Sequence, residues 1–153
     1  MPSLQSNPST CLKNKILRIF YEEILNQGKL DLIDEMFAPD FVCHPGELDT
    51  KVPGREPFKV VITRLKTSFP DLYFTIEDTV SEDNRLVARW TMEGTHLSDL
   101  DGISATGKRI KGYGITIFRV EEDRIAELWA QTDRLGFVQQ LVAQDPAPID
   151  PIS

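Results

Sequence analysis

Residues 125–141 read IAELWAQTDRLGFVQQL, and the change of period inside this stretch decides the fold. Up to Asp133 the side chains alternate, with Ile125, Glu127, Trp129, Gln131 and Asp133 on one side and Ala126, Leu128, Ala130 and Thr132 on the other. A period of two predicts a strand, here one buried on both faces. Carboxylates and amides beside a tryptophan are costly in an oily core unless they meet partners or water. The Glu127–Trp129–Gln131–Asp133 face is therefore expected to look into a cavity. Beyond Asp133 the spacing of Leu135, Phe137, Val138 and Leu141 suits a short closing helix. Asp133 thus falls where a strand ends and a pocket mouth is expected to begin.

Working outward, residues 72–80 and 86–95 predict two strands joined by the polar turn Ser81-Glu82-Asp83-Asn84-Arg85. Residues 109–120 and 125–133 form a second hairpin through Glu121-Glu122-Asp123-Arg124. Gly112 and Gly114 share one strand face, where missing side chains give clearance to a strongly bent sheet. The N-terminal half is helical. Ser9 or Thr10 can cap a helix starting near Cys11, with Ile16, Leu17, Ile19, Phe20, Ile24 and Leu25 as its apolar stripe and Gly28 as its left-handed stop. A second short helix carries Leu30, Leu32, Ile33, Met36 and Phe37 and closes at Ala38-Pro39. A short strand at 41–44 and a third helix over about 56–68 follow. Helices first and antiparallel strands second predict an α+β domain, with the helices on one face of a curved sheet. Residues 1–10 read as a mobile lead-in, 11–142 as a single domain and 143–153 as an irregular proline-rich tail.

The 153-residue chain carries 24 acidic against 17 basic residues, a formal charge of −7, with 41% hydrophobic and 27% charged side chains. That balance, without a basic run, argues against a nucleic-acid partner. No apolar run approaches the ~20 residues that span a bilayer, and the first 15 residues lack the apolar core of a secretion signal. Cys11 and Cys43 form neither a disulfide framework nor a metal-spaced pair, so a reduced, cytoplasmic protein is expected. No HxH, HxxxH or HExxH spacing supports a metal site.

Phe20-Tyr21-Glu22-Glu23 with Asn26-Gln27-Gly28, then Phe37-Ala38-Pro39-Asp40-Phe41-Val42 and His44, resembles the SnoaL-like polyketide cyclases, or ester cyclases. The likeness runs on through Pro53-Gly54-Arg55-Glu56, Phe69-Pro70-Asp71, Arg89-Trp90-Thr91, Gly94-Thr95-His96, Thr106-Gly107-Lys108, Phe118-Arg119-Val120 and Glu127-Leu128-Trp129 to Asp133. It spans about residues 13–141. It implies a nuclear-transport-factor-2-like cone, three N-terminal helices packed in a strongly curved, mainly antiparallel sheet, commonly dimerising through the sheet. It also implies cofactor-free acid–base chemistry, with Asp133 as the proton-handling carboxylate and His44 facing the same pocket. The sequence departs from the family at Cys43, at Ala130-Gln131 and after His96.

Each candidate has a plainer reading beside the chemical one. Asp133 is also a favoured helix N-cap. His44, polarising or relaying a proton, is also a strand-end histidine bonded to a carbonyl. Trp129 and Gln131 are expected to position a substrate. Trp90 forms a pocket wall or core with Ala88 and Met92. Tyr21 reaches the cavity or lies on exposed helix surface. His96 stands at the rim or is a surface histidine. The expected activity is a cofactor-independent lyase or isomerase closing a ring in a small hydrophobic carbonyl substrate. The rivals are an epoxide-hydrolase-like enzyme, which needs an Asp–Arg–Asp set, and a non-catalytic small-molecule-binding dimer.

Overall fold

The computed structural model describes residues 8–46 and 50–143. Most of the expected lead-in (1–7), most of the expected tail (144–153) and residues 47–49 lie outside the described residues. Helix α1 covers Thr10–Arg18, with the Ser9 hydroxyl accepting from the Leu12 amide at 3.2 Å. Its continuation, Ile19–Asn26, is π-wound. The wide turn puts Phe20, Tyr21, Ile24 and Leu25 inside together. Gly28, at φ 74°, takes the left-handed conformation expected of it. The Lys66 ammonium donates to the carbonyls of Leu25 and Asn26 at 2.7 and 3.1 Å and so closes the π segment.

Helix α2 (Asp31–Met36) ends two residues earlier than expected, and strand β1 (Phe37–His44) already includes the Ala38-Pro39 pair. A two-residue strand β2 (Val52–Pro53), unanticipated, pairs with β1 at Val42 and Cys43. Helix α3 spans Arg55–Ser68, β3 Tyr73–Glu82, β4 Arg85–Thr95, β5 Arg109–Glu121, β6 Arg124–Thr132 and α4 Arg134–Val142. Both hairpins form where the polar turn segments stand. Asp83, Glu122 and Asp123 adopt positive φ there, which matches the twist of the flanking strands.

The sheet runs β2-β1-β6-β5-β4-β3, antiparallel except where β1 lies parallel to β6. Register shifts between Phe37 and Val42, Ile76 and Asp78, and Arg119 and Val120 bend it. Its ends do not meet, so the result is an open cone with the helices in its hollow. Phe20, Phe37, Phe41 and Phe58 pack ring against ring at the narrow end, with Phe37 and Phe41 edge-to-face at 4.6 Å. Asn26 stitches the helices to the edge strand. Its amide nitrogen donates to the Phe74 carbonyl at 3.0 Å, and its oxygen accepts from the Phe74 amide at 2.6 Å. No described helix is long and apolar enough to cross a membrane.

One expectation is inverted. The concave face of β6 carries Leu128, Ala130 and Thr132, whereas Glu127 and Trp129 point outward. The register explains it. Leu128 pairs with buried Phe118, and Trp129 with half-exposed Ile117. A period of two separates two faces without saying which one is concave. The small side chains, not the polar ones, leave the hollow.

Candidate active site

The cone encloses a cavity of about 530 Å3. Phe20, Tyr21, Phe58 and Ile62 from the helices line it, facing Trp90, Thr116, Leu128 and Ala130 from the sheet. The Trp90 indole donates to the Thr116 hydroxyl at 2.9 Å, and its ring packs edge-on to Phe74 at 5.1 Å. Gly114 makes room for it, since a Cβ there would overlap the indole. Both readings of Trp90 therefore hold: it is core with Ala88 and Met92, and it is cavity wall.

The mouth is polar. Gln131, Thr132, Asp101 and Arg134 border it, with Arg134 reaching Asp101 at 3.2 Å. This ion pair links α4 to the loop before β5 but is largely exposed, so it contributes little stability. Gly46, opposite, sits so close to the Ala130 carbonyl that a side chain would not fit.

Tyr21, for which cavity and exposed helix surface were both open, is 1% exposed and part of the cavity lining. Burial pushes its phenol above the usual range, opposed by the neighbouring Thr116 hydroxyl. Cys43, also in the lining, has its thiol pushed by burial up to about 12. It is therefore a neutral, apolar wall at physiological pH. Iodoacetamide at pH 8 is expected to label exposed Cys11 within minutes and to spare Cys43, as read by peptide mass spectrometry. Equal labelling would show that the cavity admits water freely.

Asp133 lies at the end of β6, between the mouth residues Thr132 and Arg134, and is exposed. The expectation that an apolar cavity surrounds its carboxylate is not met. One oxygen accepts from the Gly136 amide at 3.1 Å and caps α4, so the N-cap reading holds. Its backbone amide donates to the Tyr113 carbonyl at 2.9 Å, and Asp133 itself is absent from the cavity lining although both its chain neighbours belong to it.

His44 does not share the cavity. Alternation along β1 turns Cys43 inward and His44 outward. Its Nε2 lies 2.6 Å from a Glu127 carboxylate oxygen, whose second oxygen accepts from Arg119 at 3.2 Å. Burial would raise the Glu127 carboxyl, but the bonds from His44 and Arg119 outweigh it and hold it below the usual range. Trp129 lies outside as well, stacked on His44 at 5.3 Å with the Arg85 guanidinium over its ring at 5.1 Å. The group clamps β1 to β6 on the convex face. Gln131, expected on the same face, reaches the mouth only because it stands at the strand's end.

His96 is neither at the rim nor on the surface. It is 0% exposed and absent from the cavity lining. Its Nδ1 accepts from the Thr106 amide at 3.1 Å, and its backbone bonds to Gly107 and Lys108 close the loop before β5. Among the described residues no group of three or more His, Cys, Asp or Glu is placed to hold a metal ion. Thr116, Ala130 and the Asp101–Arg134 pair were not anticipated. The signal for Thr116 was present in the Gly112-x-Gly114-x-Thr116 alternation, a row of small residues on one strand face.

The family model described as SnoaL-like polyketide cyclase matches residues 15–141. The chain belongs to the SnoaL-like polyketide cyclase family. Among its curated relatives, the aklanonic acid methyl ester cyclase DauD of Streptomyces sp. (strain C5) is 30% identical, covering 82% of this chain and 80% of the relative. The aklanonic acid methyl ester cyclase DnrD of Streptomyces peucetius is also 30% identical, covering 82% of this chain and 88% of the relative. Among solved structures, TsrD from Streptomyces laurentii superposes with a TM-score of 0.79 at 28% identity, covering 90% of this chain and 99% of that one. The SnoaL-like architecture thus extends over nearly all the described residues. Within it, the cavity between helices and concave sheet is where a family member of this shape offers enclosure to a small molecule.

Proposed function

We propose that this chain is a cofactor-independent cyclase that closes a ring in a hydrophobic, carbonyl-bearing substrate by an intramolecular aldol step. The observation that carries the reading is the apolar cavity with a polar mouth, whose lining includes Thr132 and Arg134, the chain neighbours of Asp133 on either side. Asp133 removes a proton from the carbon alpha to a carbonyl. That carbon then attacks a second carbonyl carbon of the same molecule, and the resulting alkoxide takes up a proton. One C–C bond forms, one C–H bond becomes O–H, and the mass is unchanged. Only one Asp133 oxygen is committed to the Gly136 amide, and no bond to the other is present among the described residues. The carboxylate can therefore cap the helix and still face a proton. Holding both reacting carbons in one enclosure supplies much of the rate by proximity. His44 takes no part in this scheme, because it is bound to Glu127 on the other side of the sheet.

Two relatives are named aklanonic acid methyl ester cyclases, which makes a polyketide methyl ester the first substrate class to try. The expected result with aklanonic acid methyl ester or a smaller keto-ester is a product of unchanged mass and altered retention. Saturable binding without conversion would instead support a non-catalytic binding module. The epoxide-hydrolase-like alternative gains nothing from Arg89, which pairs with Asp78 at 3.3 Å on the convex face, away from the cavity. The homodimer would use that convex face, where Tyr113, Ile115 and Ile117 stand 50%, 46% and 38% exposed in a row on β5.

A further inference from the structure

Among the described residues Tyr21 carries the one cavity-lining polar side-chain atom that is fully buried without a hydrogen-bond partner of normal geometry. Its side chain is almost wholly buried, and its hydroxyl makes no hydrogen bond of normal geometry among the described residues, although the Thr116 hydroxyl lies close enough to oppose the effect of burial. A buried hydroxyl without a partner is destabilising, typically by enough that folded proteins avoid it. The ring cannot turn away to find one. Phe20 packs edge-to-face on it at 4.9 Å and Phe118 at 6.2 Å, with Phe74 on a third side at 6.0 Å. The residue is carried on the π-wound turn Ile19–Asn26, and π-winding is uncommon and concentrated at functional sites.

Around it, the cavity wall is apolar except for the Trp90–Thr116 pair, in which the Thr116 oxygen already accepts from the indole. The Thr116 hydroxyl can in turn donate to the phenol oxygen, which leaves the phenol proton to point into the cavity. An aromatic wall with a buried donor and no buried cation fits a neutral carbonyl oxygen, rather than a carboxylate or a phosphate.

We infer that the Tyr21 hydroxyl donates a hydrogen bond to a carbonyl oxygen of the bound substrate and holds it as negative charge develops there during ring closure. This deepens the cyclase reading and rests on it for the last clause. A flat aryl ketone whose carbonyl end enters the cone first is the matching probe. No proton transfer from Tyr21 is required. The phenol remains protonated because burial disfavours its anion. A preorganised donor in a water-poor site is the arrangement that stabilises a developing oxyanion.

The test uses the 153-residue chain, its Tyr21→Phe variant and 2-acetylnaphthalene labelled with 13C at the carbonyl. Isotope-edited infrared spectroscopy reads the carbonyl stretch of the bound ketone. The expected result is a lower wavenumber in wild type than in Tyr21→Phe, with affinity roughly tenfold weaker in the variant. Unliganded Tyr21→Phe is expected to melt no lower than wild type, since no internal bond of normal geometry is lost. Identical carbonyl frequencies, absence of saturable binding to wild type, or a lowered melting temperature would each overturn the inference. The cyclase reading fails separately. A carbonyl shift with no turnover of a polyketide ester sinks the cyclase and keeps the Tyr21 donor, whereas turnover with no shift does the reverse.

Discussion

Asp133→Asn is expected to lower turnover of a polyketide ester by about 100-fold or more while leaving binding and thermal stability nearly unchanged. The carboxylate combines two roles. As an N-cap it accepts from the Gly136 amide, and asparagine caps a helix about as well as aspartate, so the fold does not register the exchange. As a base it must hold a negative oxygen at the cavity mouth, which an amide cannot do. Asp133→Ala, by contrast, loses the cap as well and is expected to cost about 1 kcal/mol of stability. Comparing the two separates chemistry from architecture. If Asp133→Asn keeps wild-type turnover, the residue is a cap only and the acid–base assignment falls. The measurement is steady-state conversion followed by chromatography, with a melting curve for each variant.

Gly114→Ala is expected to destabilise the chain by about 3 kcal/mol, at the upper end of what an added methyl group costs in a packed core. At this chain length that corresponds to a fall in Tm of roughly 6–12 °C. The reason is a single collision. A Cβ on Gly114 would occupy the volume of the Trp90 ring edge, and the Gln131 carbonyl closes the space behind it at 2.7 Å. The indole cannot swing aside cheaply, because its N–H is bonded to Thr116 and its face is pinned by Phe74. Trp90→Phe shortens the ring, so the double variant Trp90→Phe/Gly114→Ala is expected to be more stable than the sum of the single effects allows, by more than about 1 kcal/mol. Strict additivity, or a neutral Gly114→Ala, would show that the sheet relaxes at this point and that Trp90 is not a fixed wall.

The elements of the fold were legible because each rests on local chemistry. The hairpin turn segments, the Ser9 cap and the Gly28 stop all signal themselves within a few residues. The α2 boundary was misplaced because Pro39 fits a strand on β1 as well as it fits a helix end. The π-wound turn escaped notice because α and π winding both bring residues four apart onto one side. The site was less legible. His44, Trp129 and Glu127 cluster as their shared strand face suggests, but on the convex side, where Arg119 and Arg85 complete the cluster. Polar residues beside a tryptophan mark a place where charges are satisfied, and a sheet edge bonded to its neighbour satisfies them as well as a cavity would. Tyr21 shows the opposite case. Its position beside the helix stripe gave only a weak hint, and its burial came in large part from Phe74 and Phe118, two aromatic neighbours that are distant in the chain.

What the sequence by itself determined is the order of helices and strands, the α+β class and the family, since these follow from periodicity, turn chemistry and residue strings that are read locally. Only the tertiary structure decided which face of each strand is concave, and with it which residues line the cavity. Concavity arises from bulges and from the pairing of β1 with β6, residues more than eighty positions apart in the chain, as the His44–Glu127 bond illustrates. A strand's alternation is symmetric between its two faces. The curvature that breaks the symmetry belongs to the sheet as a whole.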